Sequence, residues 1–114
     1  MTSQTRETAD AVSITVREDA PGQCVSILGR IDIHSVPDLR LALHRVIDGS
    51  PGPLALDLAD SVIGDATGLW MLVEAHRRCL RQGRPMSFEN ACDRAARLLR
   101  AVRLHPARRL ARTS

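Results

Sequence analysis

The chain has 114 residues, of which 44% are apolar and 25% charged, and its formal net charge is +3. That is one domain's worth of an ordinary soluble globular protein, with room for one core and little extra machinery. Aromatic residues are limited to Trp70 and Phe88, so the core must be aliphatic and material for a ligand cavity is scarce.

The charge is unevenly spread. All 13 acids lie in residues 1–93 against 9 arginines, whereas residues 94–114 carry 7 arginines and no acid; lysine is absent. An acidic body with a basic end can attract an acidic partner, nucleic acid or an anionic membrane surface. The plainer expectation is a solvated arginine-rich helix face, and nucleic acid is not the expected partner. Cys24, Cys79 and Cys92 form no C-x-x-C pair and no metal-ligand spacing, and their odd number argues against a disulfide framework. A reducing cytoplasm fits them. The first residues, MTSQTRETAD, lack the apolar stretch of a secretory leader. No apolar run approaches the ~18 residues of a membrane span.

Taken in order, residues 1–10 are polar and aperiodic and are expected to form a disordered lead-in. Val12, Ile14 and Val16 alternate with polar residues, the pattern of a half-buried strand. Glu18 to Gly22 reads as a turn into a second strand, Gln23 to Leu28, closing an antiparallel hairpin. Gly29-Arg30-Ile31-Asp32 ends that strand. A helix follows from about Ser35 or Val36, with Ser35 placed to cap it, Pro37 in the first turn and Asp38 at its positive end. Its apolar face is Val36, Leu39, Leu43, Val46 and Ile47.

The Gly/Pro-rich stretch from Asp48 to Pro53 turns the chain into a short buried strand, Leu54 to Leu58. Ala59 to Gly64 reads as a loop or short irregular strand with Val62 and Ile63 buried. The longest helix is predicted over Thr67 to Gln82, capped by Asp65 and stopped by Gly83. Its expected buried stripe is Leu69, Leu72, Val73, His76 and Leu80, with Trp70, Glu74, Arg77 and Arg81 opposite. Pro85 to Glu89 is a further strand. Ala91 to about Val102 is a third helix that buries Ala95, Leu98, Leu99 and Val102. Leu104 to Leu110 carries only a weak signal, interrupted by Pro106. The order β-β-α-β-α-β-α predicts an α/β fold: a mostly parallel sheet with an antiparallel edge strand. Right-handed crossovers place the loops Gly29–Ser35 and Ala59–Thr67 side by side.

With both loops in view, the chain resembles the STAS domains, the anti-sigma factor antagonist family. The family's G-E-L-D step resembles Gly29-Arg30-Ile31-Asp32. Its L-D-L strand and D-S-S/T-G-L-G turn resemble Leu56-Asp57-Leu58 and Asp65-Ala66-Thr67-Gly68-Leu69-Trp70. The resemblance runs from about Val12 to His105, giving a single STAS-like domain over residues 11–105 and a basic tail over 106–114. It implies a kinase-type anti-sigma factor, or a similar regulator, as partner. That partner would phosphorylate the first hydroxyl residue after the motif Asp. Here that position is Ala66, which has no hydroxyl, and Thr67 is the remaining candidate. Trp70 stands where the family usually has Gly.

The candidate partner-binding residues are therefore Asp32, His34, Ser35, Asp65, Ala66, Thr67, Gly68, Leu69 and Trp70, with Thr67 as the possible phosphorylation site. Asp65 can act simply as an N-cap, Thr67 as a first-turn residue satisfying backbone, and Asp32 as a turn carboxylate. Gly68 suits either a partner's close approach or tight helix–sheet packing. Trp70 either anchors a partner or lies along its own helix. His76 is expected as a hydrogen-bonded core histidine, His44 and His105 as surface residues. No P-loop, G-x-S-x-G or H-E-x-x-H is present, so no catalytic residue, metal or cofactor is expected. The alternatives to a regulator-binding module are an accessory subunit of a transporter ATPase assembly, which needs no phospho-acceptor, and a nucleic-acid binder acting through the arginine-rich tail.

Overall fold

The computed structural model describes residues 14–106. The expected lead-in (1–10), Val12 and most of the basic tail lie outside them. The elements are β1 (Ile14–Ala20), β2 (Cys24–Ile31), α1 (Val36–Gly49), β3 (Leu54–Asp57), β4 (Ser61–Ile63), α2 (Ala66–Arg81), β5 (Met86–Glu89) and α3 (Asp93–Ala101).

β2 organises the sheet. It pairs antiparallel with β1 at one side, and at the other parallel with β3 through its first half and β4 through its second. β5 extends the sheet beyond β3, in parallel. The predicted mixed sheet with an antiparallel edge is thus present, with the irregular segment at 59–64 supplying the extra short strand. Period-two alternation sends Val25, Leu56 and Phe88, which lie in one register row, into a common core. Leu39, Leu43 and Ile47 of α1 and Leu72 and Cys79 of α2 pack into the same core, all with no exposed surface. The α1 face is the one the heptad-like spacing indicates.

Several expectations fail for identifiable reasons. β1 runs on to Ala20 through a register shift between Glu18 and Ala20, where the sequence suggested a turn. Val62 is exposed, because alternation along β4 puts it on the side opposite Ile63. Leu80 is 57% exposed, and the face α2 buries includes Gly68, Met71, Ala75 and Cys79. Small residues mark the line where a helix lies closest to a sheet, and a pattern that equates bulk with burial misses them. His76 is only half-buried, its ring centroid 6.3 Å from that of Phe88, and burial pushes its pKa below the usual 6.5. His44, expected at the surface, is half-buried, and its Nε2 is enclosed without a hydrogen-bond partner among the described residues.

Arg84 is a structural residue that periodicity does not reveal. Its side chain is 1% exposed and its guanidinium donates to the carbonyls of Val46 (3.1 Å), Ile47 (2.9 Å), Gly52 (2.6 Å) and Gly22. Two of these carbonyls belong to the last turns of α1, where the helix dipole is negative and a cation is stabilised. The arginine ties the ends of α1, the β1–β2 turn and the β3 approach together.

Candidate functional site

The loop leaving β2 and the start of α2 meet at one edge of the sheet, as right-handed connections require. Asp65 joins them. It is the N-cap of α2, and its Oδ1 accepts the Gly68 N–H at 2.8 Å. Its Oδ2 accepts the Ile33 N–H, from the other loop, at 2.9 Å. The Gly64 N–H donates to the Ile31 carbonyl at 2.8 Å, and Arg30 reaches the Gly64 carbonyl at 3.3 Å. Gly68 completes the closure. A Cβ there would sit 2.1 Å from the Ile31 carbonyl oxygen, so only glycine lets α2 lie this close to β2. Tight helix–sheet packing is therefore a sufficient reason for Gly68.

The β2–α1 loop is braced from within. Asp32 Oδ1 accepts the N–H groups of His34 (2.9 Å) and Ser35 (3.1 Å), and Oδ2 accepts Arg30 Nε at 3.0 Å. Desolvation pushes the Asp32 carboxyl up, but the Ser35 and His34 N–H donors and Arg30 together hold it below its ordinary 3.8. Ser35 does not cap α1 with its side chain. Its hydroxyl donates to the Arg30 carbonyl at 2.7 Å, and the side chain is enclosed beneath the loop. The Asp32 carboxylate holds the loop's N–H groups instead, an Asx-type turn.

This sorting changes the candidate set. Ser35, Gly68 and Leu69 are buried and shape the edge from below. Asp32 and Asp65 are half-buried and committed to backbone N–H groups. The outward surface consists of His34, Ala66, Thr67 and Trp70, the last 54% exposed. Ile33, 57% exposed beside Asp65, belongs with them. The sequence reading selected Asp32, His34 and Ser35 from this loop and passed over Ile33; an isoleucine between two polar loop residues was the available signal. Trp70 follows Ala66 by one helical turn, so the indole and the Ala66 methyl share a face.

A shallow depression of about 220 Å³ lies beside this surface, lined by Ile63, Asp65, Ala66, Leu69, Arg94 and Leu98. Arg94 enters it from α3, its guanidinium donating to the Ile63 carbonyl at 2.7 Å. A second, wide depression lies at Gln23, Gly52, Leu54 and Ser87, away from the Asp65 edge. Among the described residues no helix is long and apolar enough to cross a membrane.

The element order and sheet topology are those of a STAS domain, and the chain belongs to that family: the family described as "Mlab, STAS domain" matches residues 14–110. The anti-sigma-B factor antagonist of Bacillus subtilis (strain 168) is 30% identical over 87 residues, which span 76% of this chain and 79% of that protein. Among solved structures, an anti-sigma factor antagonist from Mycobacterium paratuberculosis is similar with a TM-score of 0.66 and 26% identity, over 95% of this chain and 97% of that one. The Bacillus cell fate determinant SpoIIAA in its phosphorylated form has a TM-score of 0.64 at 13% identity, over 89% and 96% of the two chains. That last likeness shows the fold alone.

Proposed function

We propose that this protein is a non-enzymatic, cytoplasmic interaction module of the anti-sigma factor antagonist type. It binds a kinase-type anti-sigma factor or a related regulator through the edge at His34, Ala66, Thr67 and Trp70. The observation that carries the reading is the double use of Asp65. One carboxylate clamps both loops, so the exposed side chains of two distant segments form one pre-ordered surface. The names of the relatives in Bacillus subtilis and Mycobacterium paratuberculosis support the same reading.

The phospho-acceptor position suggested by the family resemblance is Ala66, so a switch at that position is lost and Thr67 is the hydroxyl left to carry one. A phosphate on Thr67 would sit in the first turn of α2, where the helix dipole favours negative charge. The exposed Ala66 methyl also favours a second reading, an accessory subunit of a transporter ATPase, which works without a phospho-acceptor.

Affinity capture from the native cell, with mass-spectrometric identification, tests the two readings. Recovery of an ATP-dependent regulator is the expected result, with binding that falls for Trp70→Ala, which keeps its melting behaviour, and for Asp65→Arg, assayed well below its lowered melting temperature. Recovery of a transporter ATPase decides for the second reading. Unchanged capture by both variants removes the edge from consideration. Incubating the captured kinase with ATP and mapping phosphate then asks whether Thr67 is a switch.

A further inference from the structure

The depression beside Asp65 is bordered on its α3 side by exposed arginines. Its floor is apolar: Ile63 is 2% and Leu69 8% exposed, and the Ala66 methyl and the half-buried Leu98 form its sides. The negative charge of Asp65 is offset in part by the positive end of α2, where it sits, and by the two backbone N–H groups it accepts. On the α3 side, Arg94 is fixed at the lip by the Ile63 carbonyl, and Arg97, one turn further on, is exposed. On α2, Arg77 lies on the same exposed face as Ala66 and Trp70, two turns beyond Trp70. The ion pairs among the described residues are made by Arg17, Arg30, Arg40 and Arg78. Arg77, Arg94 and Arg97 take part in none of them. The single acid at the start of α3, Asp93, is exposed and likewise makes none.

We propose that the groove between α2 and α3 receives an acidic amphipathic helix of a partner protein. The proposal rests on the reading of the Asp65 edge as a docking surface and states what kind of segment docks there. A large aliphatic side chain of that helix fills the concavity over Leu69 and Leu98. Carboxylates at neighbouring positions face Arg94 and Arg97, and one about two turns further along the docked helix faces Arg77. Charge complementarity selects an acidic segment and orients its approach, and the apolar floor supplies the burial that holds it. A nucleic-acid backbone matches the arginines but has no apolar group for the floor. A bilayer surface matches the charge but is flat and cannot enter a concave site.

The test pans the purified full-length protein against a display library of random peptides of about fifteen residues, long enough to form a helix. The expected consensus carries Asp or Glu at helical spacing around one or two large aliphatic or aromatic residues. A selected peptide should bind about tenfold more weakly to the Arg77→Glu/Arg97→Glu double variant, which changes only exposed side chains. Its affinity should fall with added salt, and Leu98→Gln should weaken it independently of salt. A consensus without acids, no enrichment at all, or binding indifferent to both variants overturns the proposal. So does stronger binding of duplex DNA, or of vesicles containing anionic lipid, to the same arginines. Because the selection uses no native partner, its failure leaves the capture experiment at Trp70 and Asp65 standing, and failure of that experiment leaves this one readable.

Discussion

Asp65 and Arg84 hold opposite ends of the fold by the same physics with opposite sign. Asp65 sits at the positive end of α2 and accepts N–H groups; Arg84 sits at the negative end of α1 and donates to carbonyls. Each also reaches a second segment far away in sequence. Their surroundings differ. Arg84 is 1% exposed and every group to which its guanidinium donates is a backbone carbonyl inside the fold. Asp65 is half-buried, and the residues it organises, Ile33, Ala66 and Thr67, face outward. A buried clamp serves stability alone. A clamp at the surface also fixes the relative positions of side chains that a partner can meet.

The contrast predicts unequal costs. Arg84→Met removes the donor from four carbonyls, at Gly22, Val46, Ile47 and Gly52. Hydrogen bonds to a buried charge are strong, and orphaned buried acceptors are costly, so a loss of roughly 3–5 kcal/mol is expected. That is a large share of a small domain's stability. Urea unfolding checks it; an unchanged midpoint would mean that the carbonyls find other partners and that Arg84 is no clamp.

Next in size is the close approach at Gly68. In an exposed helix, Gly→Ala stabilises by about 1 kcal/mol. Here the added Cβ would stand 2.1 Å from the Ile31 carbonyl oxygen, rigid backbone that cannot give way. Overpacking of this kind costs about 1–3 kcal/mol, so Gly68→Ala is expected to lower the melting temperature. Gly64→Ala is its control. There the Cβ would meet Arg30 Nε at 2.7 Å, the end of an exposed side chain that can move aside, and the change should stay within about 0.5 kcal/mol. Equal effects at the two glycines would show that α2 can shift on the sheet.

Asp65→Ala comes third, at about 1–2 kcal/mol for a lost cap. Its local effect should exceed its global one. Amide exchange at Ile33 and Gly68, the two N–H groups the carboxylate holds, should accelerate more than exchange at Leu72. Uniform acceleration would make Asp65 a stability residue of the Arg84 kind.

The sequence shows one of these clamps and not the other, for a physical reason. Asp65 stands where local rules operate: an acid just before an apolar-periodic run is an N-cap by spacing alone. Its second bond, to Ile33, needs the fold, although the right-handed crossover already places the two loops side by side. Arg84 lies in Gly83-Arg84-Pro85, where no period or motif marks it, and its acceptors come from turns that only tertiary structure gathers. The same divide runs through the helices. The α1 face follows bulk at 3.6-residue spacing and matches the structure residue for residue. In α2, burial follows closeness to the sheet, so Gly68, Ala75 and Cys79 are inside while Leu80 is out. In the candidate site the motif identified the edge, and burial then separated the outward residues from Ser35, Gly68 and Leu69, which only shape it.

The smallest effect is expected where the clamps are surface ion pairs, along the α1–α2 seam. Arg78 donates to Asp48 at 3.0 and 2.6 Å, and Gln82 adds a third bond to the same carboxylate. Arg78 first and then Gln82 hold the Asp48 carboxyl down at about 2, against an ordinary 3.8. Its contribution is therefore complete above pH 3.8 and disappears as the pH falls towards about 2. His44 lies in the same seam, and burial first, then Arg78, pushes it below 6.5, against the opposing pull of Glu74 and Asp48. The folded state thus resists protonating His44, and stability is lost first as the pH drops through 6.5. Acid should weaken the domain in two steps, an earlier one from the desolvated His44 and a later one from Asp48, the latter modest because an exposed pair is screened. His44→Gln should erase the earlier step alone, and Asp48→Asn should flatten the later one. A single transition that neither substitution moves would place the acid sensitivity elsewhere, with His76 beside Phe88 the next group to test, since burial lowers its pKa in the same direction.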